Sequence, residues 1–111
     1  MLVNTKTILQ KARAEGYAVP AFNITDLQSI MVISQVCEEE QAPCLIEAAE
    51  ATVKAYGADY LAAIAKVASE RVSVPLALHL DHGYTFDILI QAIRAGFSSV
   101  MLDESSKPME E

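Results

Sequence analysis

Four short apolar runs alternate with stretches of helical periodicity along this chain, and that alternation constrains the fold more than any other feature of the sequence. From Thr5 to Glu15, Ile8, Leu9 and Ala12 recur at helical spacing, and Gly16 follows where a left-handed cap is wanted. Tyr17 to Phe22 reads as a buried strand, although Pro20 lacks the N–H that a ladder uses. Thr25-Asp26-Leu27-Gln28 has capping-box spacing, and Leu27, Ile30, Ile33, Val36 and Cys37 carry an amphipathic helix to about Glu40. Cys44 to Glu47 gives a second strand. Gly57 and Asp59 open another helix, with Leu61, Ile64, Ala65 and Ala68 on one face. Val74 to Leu80, introduced around Pro75, is the third strand and the most apolar. Thr85 caps a helix that buries Ile88, Leu89, Ala92 and Ile93 and stops at Gly96, and Ser98 to Leu102 is the fourth strand.

A leading helix, three βα units and a fourth strand imply an α/β fold with parallel pairing through right-handed crossovers. Order alone does not separate a doubly wound sheet from a barrel. Ser106-Lys107-Pro108-Met109-Glu110-Glu111 has the capping serine, early proline and first-turn carboxylates of a helix start. A (β/α)8 barrel takes roughly 250 residues, so a chain of 111 would supply less than half of one. With no internal repeat or linker, residues 1–111 are expected to form a single partial domain.

A content of 52% hydrophobic and 21% charged residues is that of a core-forming globular chain. The net charge of −7 would repel phosphate, which sets nucleic-acid binding aside. The first residues, Met1 to Lys6, lack the apolar run of a signal peptide, and no stretch approaches the roughly 20 apolar residues of a membrane span. A cytoplasmic protein with no membrane partner is the expectation. Cys37 and Cys44 do not have the spacing of a disulfide framework and read as free core thiols.

The chemistry concentrates in His79-Leu80-Asp81-His82-Gly83, at the C-terminal end of the third strand, the edge where parallel α/β folds build their sites. Strand alternation puts His79 and Asp81 on one face, and His82 begins the loop, where Gly83 frees the backbone to turn. A neutral imidazole is a good zinc ligand, and a carboxylate beside a metal is placed to move a proton. The plainer alternative makes His79 a core histidine and Asp81 and His82 caps of the next helix. Asp103, after the fourth strand, is by position an ordinary N-cap or loop acid. Asn23, after the first, is a substrate contact or an Asx-turn residue. Tyr56, Tyr60 and Met31 lie at helical core spacings, and Glu38-Glu39-Glu40 reads as a solvated helix end. Glu47, a carboxylate at the end of a short apolar strand, is either just outside the core or paired.

Tyr17-Ala18-Val19-Pro20-Ala21-Phe22-Asn23-Ile24, Ala42-Pro43, Val74 to Gly83 and Ala95 to Asp103, taken in order, resemble the class II fructose-bisphosphate and tagatose-bisphosphate aldolases. The resemblance implies the N-terminal part of a TIM barrel that reversibly cleaves a ketose bisphosphate to dihydroxyacetone phosphate and an aldehyde. It also implies His82 as a zinc ligand, Asp81 as the proton-transferring residue, Asn23 against the substrate, and Asp103 at a second or alternative metal position. Zinc would polarise the ketone, which removes the need for a Schiff-base lysine. His79 is assigned to the core or to a supporting position.

The family's serine or threonine after the second strand is Ala49 in this chain, and the small residue after Asp103 is Glu104. The remaining zinc histidines and phosphate loops are expected beyond residue 111, so this stretch alone should be inactive, and the full-length parent should be a homo-oligomer. Two other readings compete. One is a metallo-hydrolase, whose His-x-His-x-Asp-His motif is matched only in part because Ala77 replaces its first histidine. The other is a non-catalytic half-barrel that associates through its open strand edges.

Overall fold

In the computed structural model, which describes residues 2–110, all four strands and every expected helix but the terminal one form, and one further helix appears. The order is α1 (Thr5–Glu15), β1 (Ala21–Asn23), α2 (Leu27–Glu39), β2 (Cys44–Ala49), α3 (Glu50–Tyr56), α4 (Ala58–Glu70), β3 (Leu76–Gly83), α5 (Phe86–Ala95) and β4 (Ser99–Leu102). Caps set the helix ends. Asn4 accepts from the Lys6 N–H at 2.8 Å, and Gly16 closes α1 at φ 75°. Thr85 accepts from the Ile88 N–H at the start of α5.

The sheet is wholly parallel, with strand order β1-β2-β3-β4. Each strand lies beside its predecessor, which is the winding of a barrel. A doubly wound sheet reverses direction at a switch point, and an αββα sandwich does not fit this parallel order. The chain is thus the leading part of a barrel, and this topology removes the metallo-hydrolase reading.

One side of the sheet packs against helices. Ile46 and Ala48 of β2 and Leu76, Leu78 and Leu80 of β3 are fully buried with Ile30 and Cys37 of α2, Leu61 and Ala65 of α4, and Ile88 and Ala92 of α5. On the opposite side, Leu45 and Ala77 are covered by Ile8 of α1 together with Val3 and Val19. The leading helix therefore closes the N-terminal end of the inner face. Val3 fixes the approach to it by donating to the Leu76 carbonyl at 2.8 Å.

Several expectations shift. The first strand is Ala21–Asn23, and all three residues are exposed, because β1 is an edge strand paired only with β2. Pro20 precedes it and only accepts, from the Leu45 N–H at 2.9 Å, so its missing donor costs nothing. The α2 cap is Asp26 with Ser29 rather than Thr25 with Gln28, since Asp26 and Ser29 satisfy each other's backbone N–H. Residues 50–56, which carry no clear periodicity, form α3 directly off β2. Tyr56, Tyr60 and Met31 are exposed rather than core, as are Leu27, Val36 and Ile93. The expected helix start at 106–111 is replaced by turns at 105–106, closed by the Lys107 N–H on the Glu104 carbonyl, and at 109–110, and Glu111 lies outside the described residues. A single turn fixes several dihedrals for one hydrogen bond, so it does not hold a helix by itself. Cys37 and Cys44 are free and buried, as expected. No helix among the described residues is long and apolar enough to cross a membrane.

Candidate active site

Residues paired across a parallel sheet point to the same side, so register converts four sequence-distant residues into one row. Asn23 pairs with Glu47, Glu47 with His79, and His79 with Ser99. This polar row crosses all four strands on the inner face, one step above the apolar Leu45 and Ala77. Asp81 stands one step higher still, opposite Ala49. The alanine leaves space at the level where Asp81 sits, and no hydroxyl reaches it from β2.

All four residues singled out from the sequence converge at this C-terminal edge. The Asn23 amide nitrogen donates to Asp81 Oδ2 at 3.0 Å. His82 Nδ1 lies 2.7 Å from Asp103 Oδ2, and His82 Nε2 lies 3.5 Å from Asp81 Oδ1. Asn23, Asp81, His82 and Asp103 therefore form one chain of contacts from β1 to the end of β4. His79 Nδ1 meets Ser99 Oγ at 2.5 Å, which fixes the ring and leaves Nε2 uncommitted.

The electrostatics follow from these contacts. The Asp103 carboxyl is held down to about 2, first by hydrogen bonds from Ser105 and then by His82. The His82 imidazole is raised above its ordinary value chiefly by its bond to Asp103. His79 goes the other way, because burial disfavours its charged form. Burial raises Glu47, and the Asp81 charge adds to that shift. The ring nearest the carboxylates of the loop edge is thus the more basic, and the half-buried ring beneath it the less basic.

Backbone geometry aims His82. It remains in β3 instead of beginning a loop, but it adopts φ 54°, and the β3–β4 register shifts between Leu80 and Gly83. A left-handed non-glycine residue costs about 1 kcal/mol or more and persists where the surroundings impose it. Gly83 serves a different purpose from backbone freedom. A Cβ there would stand 2.6 Å from Leu89 Cδ1, 2.9 Å from Leu80 Cδ2 and 3.2 Å from the Met101 carbonyl oxygen, so any side chain would have to displace both leucine ends.

Two further carboxylates prove structural. Glu38 accepts from the Ser73 N–H at 2.7 Å, the Ser73 hydroxyl and the Val74 N–H, tying α2 to the entry of β3 instead of being solvated. Glu50 is buried at the start of α3, pairs with Lys54, and accepts from the Tyr84 N–H at 2.6 Å. It anchors the loop just beyond His82. Glu47, read from the sequence as either just outside the core or paired, is half-buried in the inner row, and Ser99 is not singled out by sequence reasoning. Strand alternation with Leu45 gives the side on which Glu47 lies, whereas the opposition of Ser99 to His79 exists only through register.

Comparison with known proteins decides the family. The profile described as Fructose-bisphosphate aldolase class-II matches residues 3–111. This chain belongs to the class II fructose-bisphosphate aldolase family. It is 43% identical to a fructose-bisphosphate aldolase of Helicobacter pylori, over all of this chain and 36% of that protein. It is also 43% identical to a 6-phospho-5-dehydro-2-deoxy-D-gluconate aldolase of Halalkalibacterium halodurans, over 99% of this chain and 39% of that protein. In structure it resembles the YdjI aldolase from Escherichia coli K12, with a TM-score of 0.90 and 25% identity, over 100% of this chain and 43% of that one. The chain spans little more than a third of the curated relatives it matches, in keeping with a partial barrel.

Proposed function

We propose that residues 1–111 are one partial domain, the N-terminal part of a metal-dependent aldolase barrel, and that the complete enzyme reversibly cleaves a ketose phosphate to dihydroxyacetone phosphate and an aldehyde. The observation that carries this reading is the contact chain Asn23–Asp81–His82–Asp103 at the C-terminal edge of the sheet. A retro-aldol step needs the proton of the hydroxyl on the carbon that becomes the aldehyde, and it needs the electron pair of the broken bond to be accommodated beside a carbonyl. Asp81 takes that proton in cleavage and returns it in condensation. Asn23, bonded to one oxygen of Asp81, orients the carboxylate and lies against the substrate.

The residues present fit one position of a zinc site. With Nδ1 committed to Asp103, His82 offers Nε2, and a metal-binding imidazole braced by a carboxylate is the usual arrangement. Bound zinc polarises the substrate ketone and stabilises the charge left by cleavage. Catalytic zinc takes about three protein ligands, so the others come from the part of the barrel beyond residue 111. In this reading Asp103 acts first as the brace of His82, with a second metal position as a further role. The complete protein is proposed to be a cytoplasmic homo-oligomer acting on a sugar phosphate.

Two observations keep the substrate open beyond fructose and tagatose 1,6-bisphosphate. Ala49 stands where a hydroxyl is expected, and a deoxygluconate-phosphate aldolase is as similar as a fructose-bisphosphate aldolase. A coupled dihydroxyacetone phosphate assay on the intact gene product, run with these three substrates, should show chelator-sensitive cleavage of at least one. Cleavage of none, with zinc supplied, would leave the non-catalytic half-barrel, and an obligate oligomer without metal dependence would then be expected by mass in solution.

A further inference from the structure

The inner row holds a second group of ligating side chains besides His82. Glu47, His79 and Asp81 each present one ligating atom, and those atoms lie within 4.8 Å of one another. Bonds of about 2.1 Å set neighbouring donors roughly 3–3.5 Å apart, so movements of about 1 Å would bring the three into one shell. We propose that Glu47, His79 and Asp81 form a divalent-cation site of the manganese class, separate from the position served by His82.

Three features favour a cation. First, the Glu47 carboxylate makes no hydrogen bond or ion pair among the described residues, although it is half-buried and faces the like-charged Asp81. Among the described residues no lysine or arginine is paired with either carboxylate; the ionisable neighbours of Asp81 are Glu47, His79 and, at 3.5 Å, His82. Two carboxylates held together in a half-buried row cost free energy unless positive charge sits between them. Second, Ser99 holds His79 Nδ1 at 2.5 Å, leaving Nε2 uncommitted. Outer partners of this kind orient ligating histidines. Third, β2 and β3 are hydrogen-bonded neighbours with Glu47 directly opposite His79, so two of the three donors sit on the rigid centre of the sheet.

Two carboxylates and one imidazole are a harder donor set than the all-histidine sites that favour zinc, and they suit manganese or magnesium with water completing the shell. Asp81 would offer the cation Oδ1, since Oδ2 is bonded to Asn23; Oδ1 also lies 3.5 Å from His82 Nε2, so a cation held there competes with proton transfer by Asp81. The inference does not depend on the aldolase reading, because it concerns binding and not turnover.

The test is a manganese titration of the intact gene product loaded with one equivalent of zinc, following free Mn2+ by electron paramagnetic resonance. One Mn2+ per chain is expected. It should be lost in Glu47→Gln, weakened roughly tenfold or more in Ser99→Ala, and retained in His82→Ala. Equal Mn2+ affinity in the wild type and in Glu47→Gln, or binding that disappears with His82→Ala but survives Glu47→Gln, would overturn the proposal. Circular dichroism checks that each variant is folded, and His79→Gln replaces Glu47→Gln if the latter is not. Zinc uptake in His82→Ala reports separately on the aldolase reading, so the two ideas fail independently.

Discussion

The two faces of β2 and β3 are made from alternate residues of the same strands, yet they hold opposite contents. Toward the helices stand Ile46, Ala48, Leu76, Leu78 and Leu80, all fully buried. On the inner side stand Leu45, Glu47 and Ala49 beside Ala77, His79 and Asp81, apolar at the N-terminal end and titratable at the C-terminal end. The difference shows how stability and chemistry share one sheet. The helix side holds the strands at fixed spacing, and the inner side can then carry carboxylates and imidazoles that add little to stability.

Substitutions on the two sides should therefore fail in different ways. Asp81→Ala, on the inner side, is expected to reduce cleavage by the intact enzyme about 10²- to 10⁴-fold, the usual contribution of a positioned proton-transfer group, with little change in unfolding midpoint. A variant that keeps most of its kcat while losing stability would erase the distinction. Leu78→Ala, on the helix side, removes a fully buried leucine next to the polar row and should cost about 2–5 kcal/mol in denaturant titration. Gly83→Ala joins the two sides, since its new methyl meets Leu89 and Leu80; a loss of about 1–3 kcal/mol is expected, with activity falling because His82 is displaced. Asp26→Ala, remote from both, should cost about 1 kcal/mol through the α2 cap and leave activity intact.

The smallest effects come from pH, and they separate the two histidines. In the folded protein His79 titrates below its ordinary 6.5, so the unfolded chain binds more protons and its contribution to stability falls as pH drops below 6.5. His82 is raised, so its contribution is fully present below 6.5 and is lost as pH climbs through its folded value. The Asp103 side of that pair is present above 3.8 and lost as pH falls toward about 2. Titration of the two imidazoles by nuclear magnetic resonance should place His79 below and His82 above 6.5. Asp103→Asn should return His82 toward 6.5 and leave His79 in place, whereas a common shift of both rings would show that they do not sense separate environments.

Much of this architecture is written locally. The α1 and α5 boundaries follow from caps and periodicity, and the strand cores follow from apolar runs, because hydrogen-bond capping and the 3.6- and 2-residue repeats are properties of neighbouring residues. Elements governed by partners were harder to read. Tyr56, Tyr60 and Met31 have core spacing but lie exposed, since periodicity shows that a stripe exists and not whether anything covers it. Helix α3 is short and anchored by Glu50 to the Tyr84 N–H, a contact 34 residues away that no local window contains. Glu38, similarly, becomes a brace only because Ser73 lies beside it in the fold.

The sequence by itself determined the parallel α/β class, the placing of Asp81 and His82 at the C-terminal edge of β3, and the family. Those rest on alternation, on strand polarity and on contiguous motifs. The tertiary structure alone decided that the strands run in order β1-β2-β3-β4, that Asn23, Glu47, His79 and Ser99 form one row, and that Asp103 braces His82. Register and ring orientation depend on pairs of residues 20 to 58 positions apart, brought together by a bulge at Leu80–Gly83 and a left-handed His82, and no property of the residues taken singly encodes them.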